Sequence, residues 1–104
     1  KTESYKDMSS NFEVTINSME LKGDEVKFNA TIRNLGSKPL DLSSSYFAVG
    51  FITRAETNYS KGALMPGESV SGDATIKDKW EKGDHSISFS TGFMSQMKFD
   101  FKIQ

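Results

Sequence analysis

Phe12, Val14 and Ile16 alternate with polar neighbours, and Met19 and Leu21 carry the alternation on with its parity reversed. A period of two belongs to half-buried strands rather than helices. A one-residue slip would turn every apolar side chain to water, so the fold has to absorb the reversal. The next run, Val26, Phe28, Ala30 and Ile32, alternates without interruption. Between the runs, Gly23-Asp24 suits a two-residue hairpin loop, because glycine accepts positive φ without steric cost. That loop sets Leu21 opposite Val26 and Met19 opposite Phe28. A β-bulge near Asn17-Ser18 then brings Ile16 opposite Ala30 and Val14 opposite Ile32, with all apolar groups on one face. A strand bending from one sheet to the other at this point is the competing geometry.

The same period runs to the end of the chain. Gly36 to Pro39 makes a turn, Leu40 and Leu42 start a short strand, and Phe47, Val49 and Phe51 point inward from the next. Residues 54–63, "RAETNYSKGA", have no periodicity and read as a long exposed loop. Met65-Pro66-Gly67-Glu68 is turn chemistry. Val70, Gly72, Ala74 and Ile76 then face inward, followed by His85, Ile87 and Phe89 and finally Phe99, Phe101 and Ile103. About seven short strands at this spacing predict an all-β chain, an antiparallel sandwich or small barrel. Gly72 and Ala74 are small, so the sheets should approach closely there, with a Phe or Trp80 filling the space opposite.

At 104 residues the chain is one domain, with a flexible N-terminal segment at residues 1–10 and a single β-sandwich over residues 11–104. Its 13 basic and 14 acidic side chains nearly cancel and are scattered, which argues against nucleic acid as a partner. The absence of cysteine excludes disulfides, zinc-thiolate and iron-sulfur sites, and a cysteine nucleophile. No apolar run approaches a membrane span, so no transmembrane segment is expected. The start at Lys1 and the polar run after it suggest a mature chain whose leader or lipid tether has been removed.

"IRNLGSKPLDL" followed by "ALMPGESVSG" resembles a family of immunoglobulin-like domains of unassigned function in bacterial lipoproteins and secreted proteins. That family is similar in fold to a mycobacterial immunoprotective extracellular antigen. The matching positions are Asn34, Gly36, Pro39 and Leu40, then Leu64, Pro66, Gly67, Glu68, Ser69 and Gly72. The resemblance implies an immunoglobulin-like antiparallel β-sandwich, an extracytoplasmic location at the cell surface or in the medium, and no catalytic residues. The intracellular proteinase-inhibitor family shares both turn motifs, but its tryptophan-rich segment before the middle loop has no counterpart between Arg54 and Ala63.

Few residues offer chemistry. His85 is the only histidine, two residues after Gly83 at a strand entry, where sandwich domains place a corner residue bonded to upstream backbone. No strained elbow presents Ser86 or Ser88 to it as a nucleophile, so no enzyme is expected. Met94 and Met97 with His85 compose a thin copper(I) reading, against which stands ordinary gap-filling by methionine. The carboxylates form no calcium loop, and no cofactor is expected. The leading reading is a non-catalytic binding or structural module of a bacterial envelope lipoprotein or secreted protein, facing a protein or cell-wall partner. Arg54, Glu56, Asn58, Tyr59 and Lys61 on the loop, with Trp80, are its candidate contact residues. A protease-inhibitor module presenting residues 54–63 is the alternative.

Overall fold

The computed structural model describes residues 5–8, 11–49, 53–91 and 95–104. Two antiparallel sheets face each other in a β-sandwich. The first has the order β1-β2-β3-β9-β7, from β1 (Tyr5–Met8), β2 (Phe12–Lys22), β3 (Glu25–Asn34), β9 (Ser69–Lys77) and β7 (Glu56–Tyr59). The second has the order β11-β10-β5-β6, from β11 (Ser95–Ile103), β10 (Gly83–Thr91), β5 (Ser45–Val49) and β6 (Thr53–Arg54). A two-residue ladder joins β4 (Leu40–Asp41) to β8 (Ala63–Leu64). The strands beyond the seven or so expected are short, and no α-helix occurs among the described residues.

The parity reversal is a β-bulge. The β2–β3 register pairs Val14 with Ile32 and Ile16 with Ala30, shifts between Ile16 and Ser18, and resumes with Met19 opposite Phe28 and Leu21 opposite Val26. Gly23, at φ 61°, closes the hairpin. Every apolar residue of both strands is thereby returned to one face. Leu21, at the hairpin end, remains 41% exposed.

Between the sheets the core is built on aromatic rings. Phe12 meets Phe89 at 5.6 Å between centroids, Phe89 meets Phe47 at 4.8 Å, and Phe47 meets Phe28 edge-on at 5.1 Å. Edge-on and tilted contacts place the positive ring edge against a negative face. Burying each phenylalanine contributes roughly 1.5–3 kcal/mol. Ala74, 2% exposed, stands beside Phe28 in the β3–β9 register. Ala74→Leu should overpack this layer and lower stability by roughly 1–3 kcal/mol in chemical denaturation; an unchanged midpoint would remove Ala74 from the core.

Five local expectations need correction or placement. Residues 54–63 are not one exposed loop: Glu56–Tyr59 form β7 and pair with β9, with Tyr59 opposite Gly72 and Asn58 opposite Asp73. The reason lies on β9, because a Cβ at Gly72 would overlap the Asn58 carbonyl oxygen and sit 2.7 Å from Tyr59 Cδ1. The bare glycine admits the neighbouring strand. Tyr59 therefore fills the space that a Phe or Trp80 was expected to fill. Leu42 opens a 3-10 turn (Leu42–Ser44) rather than continuing a strand, since the Asp41 side chain accepts from the Ser43 amide and caps it. Residues 5–8 of the N-terminal segment form β1 on the outside of β2, with Tyr5 opposite Ile16 and Met8 opposite Glu13. Phe51 lies outside the described residues.

At Ala55 the chain changes sheets. Its N–H donates to the Phe47 carbonyl at 2.8 Å, extending the β5–β6 ladder, and the next residue already belongs to β7 in the opposite sheet.

Candidate functional site: the outer face of the five-stranded sheet

The two turn motifs prove to be one structural unit. Asn34, 2% exposed at the end of β3, donates from Nδ2 to the Lys38 carbonyl at 2.7 Å and to the Leu64 carbonyl at 2.9 Å. Its Oδ1 accepts from the Gly36 N–H at 2.9 Å. Its backbone N–H donates to Glu68, and its carbonyl accepts from Gly67. Below these, Glu68 accepts from the Met65 N–H at 2.8 Å and pairs with Lys61 Nζ at 3.2 Å. The Met65 amide and then the Lys61 ammonium hold the Glu68 carboxyl below the usual carboxylate range. This is scaffold chemistry.

The residues singled out for binding do not converge. Arg54 is exposed, its guanidinium 4.0 Å above the Tyr46 ring. Asn58 is exposed on the outer face of β7, and Glu56 occupies the same strand. Lys61 is engaged by Glu68. Tyr59 points between the sheets. Trp80 is half-buried: its Nε1 donates to the Ile76 carbonyl at 3.2 Å, and its ring packs against His85 and Phe101. His85 donates from Nε2 to the Glu81 carbonyl four residues upstream, the backbone-bonded corner role expected of it. Met97 is 4% exposed and pairs with Phe89, four positions along β10 from His85, or roughly 13 Å at the usual strand rise. Met94 lies outside the described residues. No group of three or more His, Cys, Asp or Glu side chains suited to a metal ion occurs among the described residues.

Inside the sandwich, the Tyr59 hydroxyl and Thr57 Oγ1 are buried and have no hydrogen-bond partner. Burial pushes the Tyr59 hydroxyl pKa well above its usual value of 10.0. Because the folded pKa is the higher one, the neutral phenol's contribution is fully present below about pH 10 and is lost as pH rises beyond it. Tyr59→Phe should remove an unsatisfied group, raise stability by about 1 kcal/mol at neutral pH, and flatten the loss of stability above pH 10. Urea melts of both proteins at pH 8 and pH 11 test this; a steeper alkaline loss in the variant would refute the inward placement.

What does converge is a row of polar side chains on the outer face of the five-stranded sheet. Asn17 Nδ2 donates to Asn29 Oδ1 and to Thr31 Oγ1, each at 2.8 Å. Asn29 Nδ2 donates to Asp73 Oδ1 at 3.0 Å, and the Thr31 and Ser71 hydroxyls are 2.7 Å apart. Asn58 stands beyond Asp73 in register. The outward positions of β3 and β9 were legible from parity, but Asn17 was not. It is the residue the bulge inserts, and only the bulge turns its amide onto the next strand.

No protein-family model matches the chain, and no curated protein matches it. Solved structures share its fold. An uncharacterised β-sandwich protein from Clostridium difficile 630 is 18% identical, with 96% of this chain and 90% of that chain covered and a TM-score of 0.55. The GAE domain of GGA2p from Saccharomyces cerevisiae is 14% identical over 98% of this chain and 97% of its own, with a TM-score of 0.53. The yeast GGA1 GAE domain is 9% identical over 98% and 99%, also at 0.53. At these identities the likeness is one of fold.

Proposed function

We propose that this β-sandwich is a non-catalytic, extracytoplasmic recognition module of the immunoglobulin-like kind, carried by a bacterial cell-envelope lipoprotein or secreted protein. The observation that carries the reading is the outer row from Asn17 to Ser71, a set of polar groups fixed across three strands before any partner arrives. Pre-fixed groups lose little conformational entropy on binding. The two turn motifs joined at Asn34 support the envelope family, and the bacterial sandwich among the structural neighbours is consistent with it. Pairing of Glu56–Tyr59 with β9 ties down part of the 54–63 segment that the protease-inhibitor alternative would present.

Co-sedimentation with purified bacterial sacculi is the direct test. The expected result is saturable retention in the pellet. Fully soluble behaviour with sacculi would overturn the proposal, and nanomolar inhibition in a protease panel would favour the inhibitor alternative. The gene provides a second check, since a lipobox cysteine or secretion signal upstream of Lys1 supports the compartment and a plain initiator methionine there argues against it.

A further inference from the structure

Resting on that recognition reading, we propose that the outer face of the five-stranded sheet binds an uncharged oligosaccharide, seated across Asn29 and Asp73 beside the β2 bulge.

The charge pattern narrows the ligand class first. Moving outward from the central rows, Glu13 stands opposite Arg33 on one side and Glu20 opposite Lys27 on the other. Glu20 also lies 3.5 Å from Lys22. Charges of both signs thus alternate at the two ends, so the face offers no continuous cationic stripe to a phosphate chain and no continuous acidic one to a basic peptide. The central rows carry hydroxyl, amide and one carboxylate group on exposed or half-buried residues. They contain no apolar anchor of the kind that dominates protein interfaces or enters a bilayer. What remains complementary is a neutral ligand that both donates and accepts hydrogen bonds at short intervals, which is the chemistry of adjacent sugar hydroxyls.

The hydrogen bonds within the row are oriented for this. Asn17 donates to Asn29 and Asn29 donates to Asp73, so both amides are held in one direction with the carboxylate as terminus. Each bond polarises the next. The second Asp73 oxygen is left as an acceptor for a ligand hydroxyl, and Asn29 retains a second amide proton to donate. A depression whose polar lining is Ser18, Glu20, Lys27, Asn29, Asp73 and Thr75 opens at this point. Ser18 is there because the bulge puts two consecutive residues, Asn17 and Ser18, on the same face. Bulges recur at functional sites for this reason, since they re-aim side chains that a regular strand could not.

The test is a titration of 15N-labelled protein with cellotetraose and with chitotetraose, followed through backbone and asparagine side-chain amides. Saturable shifts of the Asn17 and Asn29 side-chain amides and of the Asp73 backbone are expected with at least one of the two sugars, with Lys98 on the opposite sheet unmoved. The N29A/D73A double variant, altered only at solvent-facing positions, should bind at least about tenfold more weakly while its remaining spectrum is retained. No shift with either sugar, or shifts confined to the other sheet, overturns the inference. If sacculi still retain the protein under those conditions, the recognition reading survives without the sugar site; if they do not, both fail.

Discussion

Gly72→Ala should lower stability by about 2–4 kcal/mol and the melting temperature by roughly 10–30 °C, one of the two large effects expected from single substitutions. The added methyl group would overlap the Asn58 carbonyl oxygen, which is backbone and cannot rotate away, and would press on the Tyr59 ring. The variant has two responses. It can displace β7 and lose the ladder from Glu56 to Tyr59, or it can distort β9 and disturb its pairing with β3. Both break strand pairing. Adding Tyr59→Ala should not restore the wild-type midpoint, because it leaves the carbonyl in place and removes the ring's own burial. Thermal unfolding of G72A and of the double variant provides the comparison. A wild-type midpoint for G72A would mean that β7 does not dock there.

The second large effect should come from Asn34→Ala, at about 3–5 kcal/mol. Truncation strands the Leu64 carbonyl in a buried site and deprives Lys38 and Gly36 of their partners. An unsatisfied buried group costs about 1–3 kcal/mol, far more than the net value of the bond it made. Asn34→Asp separates shape from chemistry. It keeps the acceptor for Gly36 but turns a carboxylate oxygen toward two carbonyls, so its folded-state pKa should be raised. A raised pKa means that stability is present below the unfolded value near 3.9 and lost as pH rises through the folded one. N34D should therefore be most nearly native in acid, opposite to ordinary carboxylates. Denaturation midpoints at pH 3 and pH 7 decide the matter; equal midpoints for N34D and wild type at pH 7 would show that the amide's donors carry little weight.

These residues also mark how far the sequence could be read. The β2 bulge was legible because a parity break between two apolar runs has few remedies once the hairpin loop is set by Gly23. His85 and the inward face of β9 were legible for the same kind of local reason. Strand β7 was not, since Glu56 to Tyr59 carries only Thr57 and Tyr59 inward, and its docking depends on a missing side chain at Gly72. Asn34 ended a strand in the sequence, but its role as the joint between two turns rests on Leu64 and Glu68, some thirty residues away. Most of the candidate contact residues lie in a segment whose lack of period reads as exposure. Tyr59 faces inward and Trp80 packs on His85 and Phe101, so hydrophobic burial claimed both. The polar row at Asn17, Asn29 and Asp73 was hidden by its composition, because single asparagines and aspartates on alternate positions look like any solvated face until strand register aligns them.

The change of sheets at Ala55 has a mechanical consequence. Two stacked sheets held by side-chain packing alone can shear past each other, since sliding exchanges one set of apolar contacts for another. Here a single residue bridges them, with β6 bonded into one sheet and β7 into the other. Any displacement of one sheet against the other therefore pulls on a taut peptide link rather than on a slack loop. Under load the layers should yield together, and the outer polar face should keep its spacing until β7 peels from β9.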